Sequence, residues 1–323
     1  MTMSTVRGLA VLCVLSLVAC GEDPSQELRE RDASMNARSP FAGKSLYTDP
    51  VSMAAVQATL WRAIDPEGAA IMDDLATVPL SLWLGDWMDD VEEEVDEAMD
   101  DAGDQIRSFV VYNIPDRDCG NFSSGGANDV ANYASFVDGI ADGLAGREAI
   151  VILEPDALAL DHCLDDHEES EREGMLSDAV DVLTEAGASV YLDAGDSNWI
   201  PADDMADRLL DAGVERAAGF ALNVSHTEWS RDENDYAQEI RAIIGEDAHY
   251  VIDTGRNGVG PAEDGEWCNP PDRKNGRRPT FDVYKPGLDA LLWIKKPGHS
   301  DGWCNGGPEA GDWWPEYARA LAE

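Results

Sequence analysis

Carboxylates recur in this chain at one kind of place. The run Ala149-Ile150-Val151-Ile152-Leu153 ends in Glu154-Pro155-Asp156. An unbroken, β-branched apolar run suits a strand buried on both faces of a parallel sheet. The proline then stiffens the exit and cannot extend the ladder. Asp156 is therefore expected at the carboxyl end of a buried strand, where α/β folds present their chemistry. Alone, Glu154 and Asp156 read equally well as the start of a solvated loop. Recurrence decides for a site. Other apolar runs are followed by Asn113-Ile114-Pro115-Asp116-Arg117-Asp118-Cys119-Gly120, by Asp193-Ala194-Gly195-Asp196-Ser197-Asn198-Trp199, by Asp253-Thr254-Gly255-Arg256, and by Lys295-Lys296-Pro297-Gly298-His299-Ser300-Asp301-Gly302. Carboxylates at the ends of several adjacent parallel strands converge on one rim, where they are placed to hold and move protons. Trp83, Trp199, Trp267 and Trp303 fall at or just beyond strand ends, and Tyr112 sits beside the first acidic loop. Exposed indoles cost solubility unless they stack on something, and a row of them beside carboxylates suits the apolar faces of a polysaccharide. Trp61 and Trp293 are assigned to the core.

The elements that must carry these loops alternate. Strands are predicted at Leu80–Leu84, Phe109–Tyr112, Ile150–Leu153, Val190–Leu192, Gly219–Leu222, Tyr250–Ile252 and Leu288–Ile294. Amphipathic helices are predicted at Val91–Ala102, Tyr133–Leu144, Leu176–Ala186, Met205–Leu210 and Tyr236–Ile244. Alternation implies a parallel sheet with right-handed crossovers. Seven such units without a compositional break imply an α/β fold of one distorted, closed, seven-stranded parallel (β/α) barrel, TIM-like, in preference to two domains. Gly255-Arg256-Asn257-Gly258-Val259-Gly260 has the wrong spacing for a dinucleotide turn, and neither G-x-S-x-G nor H-E-x-x-H occurs. The acidic runs around Asp89–Asp96 and Asp165–Glu173 lack calcium-loop spacing and read as solvated helix faces.

The chain has 323 residues with 65 acidic and 23 basic side chains, a formal charge of −42. Such a surface repels phosphate, which excludes nucleic acid and argues against anionic lipid as a partner. Arg7 precedes an apolar run, Leu9 to Val18, too short to span a bilayer. Leu17-Val18-Ala19-Cys20-Gly21 resembles a bacterial lipoprotein box, with lipidation of Cys20. The expected organisation is a signal peptide over 1–19, a charged tether over 20–42 and one catalytic domain over 43–323. The protein is expected to be exported, held to the cell envelope through the lipid or secreted, and monomeric. Without Cys13 and Cys20 four cysteines remain, Cys119, Cys163, Cys268 and Cys304. In an exported chain an even count suggests disulfides, and each of the four follows shortly after a predicted strand. Sequential pairing, Cys119 with Cys163 and Cys268 with Cys304, is preferred among three connectivities. A metal site is the weaker competitor, since no C-x-x-C pair exists and the histidines are scattered.

Several stretches together resemble glycoside hydrolase family six, the cellulases. They are Val111-Tyr112-Asn113 with Arg117-Asp118-Cys119-Gly120, Glu154-Pro155-Asp156, Tyr191-Leu192-Asp193-Ala194-Gly195, Glu266-Trp267-Cys268, and Trp293-Ile294-Lys295 with Pro297-Gly298 and Ser300-Asp301-Gly302. The likeness runs from about Trp83 to the end. It implies a distorted seven-stranded barrel, sequential disulfides, no cofactor, no metal, and cleavage of β-1,4-glucan with inversion. By motif, Asp156 resembles the general acid, Asp118 the aspartate that raises the acid's pKa, Asp193 a supporting aspartate and Asp301 the base. Tyr112 and Ser124 would border the cleaved sugar, while Trp83, Trp199, Trp267, Asn223 and Lys295 would hold its neighbours. Inversion needs one carboxyl that keeps its proton and one that is ionised, and a like-charge neighbour helps hold the first proton.

Two positions depart from that pattern. Asp196 stands where histidine is usual and His299 where glutamate is usual. Either a carboxylate–imidazole pair is kept with its partners exchanged, or the two replacements are independent changes within the sugar subsites. The leading function is an inverting endo-β-1,4-glucanase, since the loops after the second and last strands look too short to enclose a tunnel. The alternatives are a cellobiohydrolase and an inactive, lipid-tethered glucan-binding protein.

Overall fold

A computed structural model of the chain describes Met1, residues 39–263 and residues 265–323. The signal peptide, Cys20 and the tether up to residue 38 lie outside the described residues. Phe41 is completely buried and stacks on Phe281 with ring centroids 4.9 Å apart, so the packed domain begins by Phe41, two residues before the expected boundary.

Seven strands form one sheet in sequence order, every neighbouring pair parallel. They are β1 (Leu82–Leu84), β2 (Arg107–Val111), β3 (Ala149–Leu153), β4 (Ala188–Asp193), β5 (Gly219–Leu222), β6 (His249–Asp253) and β7 (Leu288–Leu292). Alternate residues face two apolar layers. Val110, Ile150, Ile152, Tyr191, Ala221, Val251 and Ala290 fill the barrel, while Phe109, Val111, Val151, Leu153, Val190 and Leu192 pack outward against helices. Each such side chain contributes about 1.5–3 kcal/mol by leaving water, and burial on both faces explains why these strands read as continuous apolar runs. The sheet curls until its ends approach. Ser81 N donates to Trp293 O at 3.3 Å and Trp83 Nε1 to Ile294 O at 2.8 Å, yet no ladder joins β1 to β7 among the described residues. Closure therefore runs through isolated bonds across a seam, which is the barrel's distortion. β7 stops two residues short of the expected Ile294 because the Ile294 and Lys295 amides turn to the Asp253 carboxylate instead of a neighbouring strand.

The helices are α1 (Met53–Trp61), α2 (Pro66–Leu75), α3 (Val91–Ala102), α4 (Val130–Leu144), α5 (Asp166–Glu185), α6 (Ala202–Asp211), α7 (Ser230–Ile244) and α8 (Pro315–Ala322). α3 has its expected bounds. α5 starts ten residues earlier than its apolar period suggests, because Asp165 and Glu168 form a capping box, so the acidic run Asp165–Glu173 is the cap and first half of a helix. Asp65, Asp90 and Asp129 cap α2, α3 and α4 by accepting from the amide three residues on, and the acidic first turns of α2 and α3 complement the helix dipole. α1, α2 and α8 were not expected from periodicity. They cover the seam around the buried Trp293, with Trp61 packed partly buried against the same cluster. Two disulfides close loops over the barrel mouth, Cys119–Cys163 and Cys268–Cys304, with Cα separations of 5.5 and 6.1 Å. Loop closure of this length stabilises the fold by ~4 kcal/mol each in the chain-entropy picture.

Candidate active site

The exit of β3 divides two carboxylates between two tasks. Glu154 and Asp156, on either side of Pro155, both adopt left-handed backbone, with φ of 50° and 71°. Such conformations cost of order 1–3 kcal/mol for non-glycine residues and persist only where the surroundings enforce them. Glu154 turns inward and is 1% exposed. Its oxygens accept from the Asn113 amide at 3.0 and 2.9 Å and from the Ile114 amide at 3.0 Å, stapling the loop after β2 to the loop after β3. Burial lifts its pKa to about 7 against those bonds. Asp253 does the same across the barrel, accepting from the Gly255, Ser225, Ile294 and Lys295 amides. These two carboxylates build the rim.

Asp156 faces the opening. Asp193, the last residue of β4, accepts from the Asp156 amide at 2.9 Å and from the Gly195 amide at 3.1 Å, which fixes where Asp156 stands. Burial pushes Asp156 up to about 6; the His226 and Lys295 charges oppose this, and Asp118 and Asp196 add to it. Burial and the nearby Asp156 likewise hold Asp193 well above the carboxylate range. One oxygen of each, Oδ1, is buried without a hydrogen-bond partner among the described residues. Two carboxyls so placed favour keeping protons. Asp118 lies in left-handed backbone (φ 60°) at the disulfide-tied turn, where its Oδ2 accepts from the Ser123 amide at 2.7 Å. Burial raises its pKa too. Arg117 beside it bonds to Asp86 at 2.9 Å, to the Tyr112 carbonyl at 2.7 Å and to the Ser123 carbonyl at 2.8 Å.

Asp301 meets the opposite environment. Its Oδ2 accepts from Arg256 Nη1 at 2.6 Å and the Asn269 amide at 2.8 Å, and Lys295 Nζ lies 2.9 Å from Oδ1. Burial would raise its pKa, but Arg256 and Lys295 hold it well below the usual carboxylate range. The site thus carries proton-keeping carboxyls on one side and a fixed negative charge on the other, the division that acid–base work requires.

A cavity of ≈ 450 Å³ is lined by Asp118, Asp156, Asp196, Trp199, His226 and Trp267 among others. Asp193 adjoins it through its bond to Asp156; neither Asp301 nor Lys295 lines it, and Asp301 is linked to Asp156 through Lys295, which pairs with Asp301 and whose charge acts on Asp156. Lys295 Nζ also lies 5.9 Å from the Trp83 ring centre, and Trp83 meets Tyr112 edge-on at 5.2 Å. Trp267 is 47% exposed beside Phe122, ring centroids 6.4 Å apart. Trp303 is exposed, and Ser124 is exposed on the loop after Arg117. Among the described residues no group of three or more His, Cys, Asp or Glu side chains is arranged to hold a metal.

One of the two readings of Asp196 and His299 falls, and one site assignment needs correction. Asp196 and His299 do not pair. Asp196 Oδ2 lies 3.0 Å from His226 Nδ1, and Asp196 Oδ1 accepts from the Asn198 amide at 2.8 Å. His299 points its Nδ1 to the Gly311 carbonyl at 2.8 Å, packs edge-on to Trp313 and lines a different cavity. The imidazole that pairs with Asp196 follows β5, not β7. Asn223 is wholly buried and left-handed (φ 64°), donating to the Asp253 carbonyl at 2.8 Å and accepting from the Glu228 amide at 2.9 Å. Its side chain braces the loop after β5 instead of facing a sugar. Sequence reasoning missed His226, Glu228, Arg256 and Phe122. The signal for the first two is present, since Val224-Ser225-His226-Thr227-Glu228 follows the fifth strand as the other acidic loops follow theirs. Glu233 of α7 was also missed; burial lifts it to about 8, and it accepts from the Ser197 amide at 3.0 Å, propping the Asp196 loop.

Comparison with known proteins identifies the family. Endoglucanase A of Cellulomonas fimi is 42% identical over 288 residues, 88% of this chain and 62% of its own length. The chain thus spans under two thirds of that relative. Endoglucanase 1 of Streptomyces halstedii is 36% identical over 328 residues, covering 97% of this chain and 96% of its own. The solved structure of the endoglucanase Cel6 from Mycobacterium tuberculosis, in complex with methyl-cellobiosyl-4-deoxy-4-thio-β-D-cellobioside, superposes with a TM-score of 0.83 at 42% identity, over 88% of this chain and 98% of that one. The model of the glycosyl hydrolases family 6 matches residues 41–323, and the chain belongs to that family.

Proposed function

We propose that the protein is an inverting endo-β-1,4-glucanase acting on cellulose or a soluble β-1,4-glucan. The observation that carries this is the asymmetry of the carboxyls: Asp156, pushed up to about 6, shares a cavity with Trp199 and Trp267, while Asp301 is held ionised. Asp156 gives its proton to the leaving sugar oxygen. Asp118 raises the acid's pKa and helps seat a water, and Asp193 fixes the Asp156 backbone. Inversion places that water on the far side of the ring, between carboxyls roughly 6.5–9.5 Å apart. Both Asp301 oxygens are already engaged, by Arg256, Asn269 and Lys295. Asp301 is therefore a weak direct acceptor and draws the proton through a chain of water. Trp83, Tyr112 and Lys295 grip sugars on one side of the cut, and Trp199 and Trp267 on the other. The names of the relatives above support an endo mode.

Carboxymethyl-cellulose tests the reading. Rapid viscosity loss per reducing end is expected; slow release of cellobiose would make the protein exo-acting, and no cleavage would make it a binder. Asp156→Asn should lower kcat about 10²–10⁴-fold with oligosaccharide binding retained, and undiminished turnover would remove Asp156 from the chemistry. The proposal extends to an exported monomer anchored through lipidated Cys20, supported by the sequence Leu17-Val18-Ala19-Cys20-Gly21. Cys20→Ser should shift the enzyme from the membrane fraction to the medium.

A further inference from the structure

A second cavity, ≈ 230 Å³, lies at the seam where β1 and β7 meet, and shares no lining residue with the aspartate cavity. Part of its lining is apolar, with Leu75, Val78 and Trp293; the rest includes Arg107, Lys296 and His299. Arg107 is 7% exposed, lies 4.8 Å over the Tyr47 ring, and keeps its Nε buried with no hydrogen-bond partner. The other buried arginines all have side-chain hydrogen bonds, Arg117 with Asp86, Arg172 with the Ala157 and Pro115 carbonyls, Arg241 with the Ala248 carbonyl and Arg256 with Asp301, although the Arg256 Nε is likewise unpartnered. Among the described residues, neither Arg107 nor Lys296 has a carboxylate within ion-pair distance, in a chain with 65 acidic residues to 23 basic. Asp49 also lines the cavity; its Oδ1 accepts from the Val51 amide at 2.8 Å, and its charge acts on both Arg107 and Lys296 without coming within ion-pair distance of either. Burial, with Arg107 nearby, lowers Lys296 to about 8. A buried cation without a paired anion is costly; Asp49 faces two cations, the buried Arg107 and the half-buried Lys296, and an anion entering this cavity would balance the second charge.

We propose that the seam cavity binds a small organic carboxylate no larger than a monosaccharide. Arg107 presents a planar fork that matches a carboxylate, Lys296 adds a second positive charge, and Trp293, Leu75 and Val78 take the carbon body, which a bare inorganic ion would leave uncovered. The site is independent of glucan cleavage.

Calorimetric titration of sodium gluconate into the full chain, with glucose and inorganic phosphate as comparisons, tests it. Gluconate should bind with a dissociation constant of about 1 mM, and glucose should not bind. Arg107→Gln should weaken binding at least about tenfold. Lys296→Gln, at a half-buried position, should weaken it less and provides the readout if the arginine variant does not fold. Asp156→Asn should bind gluconate as the parent does. The proposal is overturned if gluconate gives no saturable heat, if Lys296→Gln binds it unchanged, if phosphate binds as tightly, or if Asp156→Asn abolishes binding.

Discussion

Asp156 and Asp301 stand in loops at the same barrel mouth, both drawn out of water, and they end on opposite sides of neutrality. Around Asp156, burial acts without a cation at hydrogen-bond distance, so its proton is held to about pH 6. Around Asp301, Arg256 at 2.6 Å and Lys295 at 2.9 Å outweigh the same burial. The contrast shows that burial alone sets the direction of a carboxyl's shift until a directed charge reaches it, and that a barrel can make an acid and a permanent anion from one residue type by choosing which loop carries the arginine.

Removing that arginine breaks the contrast most strongly. Arg256→Met leaves the buried Asp301 carboxylate with Lys295 as its remaining cation and should cost about 3 kcal/mol of stability, read as a Tm roughly 10 °C lower. Adding Asp301→Asn should recover part of this loss, because the two changes share one interaction. Next comes the sugar platform: Trp267→Ala should raise KM for long cello-oligosaccharides about tenfold with kcat little changed, measured by initial rates. The smallest effect sharpens the Asp156 side. The His226 charge lowers the Asp156 pKa and Asp196 raises it. His226→Asn should therefore raise the Asp156 pKa and carry the alkaline limb of kcat to higher pH, because an acid with a raised pKa keeps its proton further up the scale. A limb that moves down would mean that His226 acts otherwise.

The strands were legible because both of their faces are apolar, and Asp118, Asp156 and Asp193 because they sit within a few residues of strand ends. What local pattern could not reveal is contact across the chain. Asp301 finds Arg256 at 45 residues' distance and the Asn269 amide at 32. His226 and His299 look equivalent as isolated histidines, yet one meets Asp196 and the other lines the seam. Asn223 has the composition of a sugar ligand, but its backbone lies in the left-handed region and its amide is consumed by Asp253 and Glu228. α1, α2 and α8 escaped because their apolar residues answer to a local seam and not to the main barrel core.

The division between the two aspartates is open to direct titration. Carboxyl carbons of Asp156 and Asp301, labelled with ¹³C, assigned through Asp156→Asn and Asp301→Asn and followed by NMR from mildly acidic to neutral pH, should show Asp156 changing near pH 6 and Asp301 not changing at all. An Asp156 already ionised at the acid end of that range, or an Asp301 that takes up a proton within it, would contradict the assignment of acid and anion.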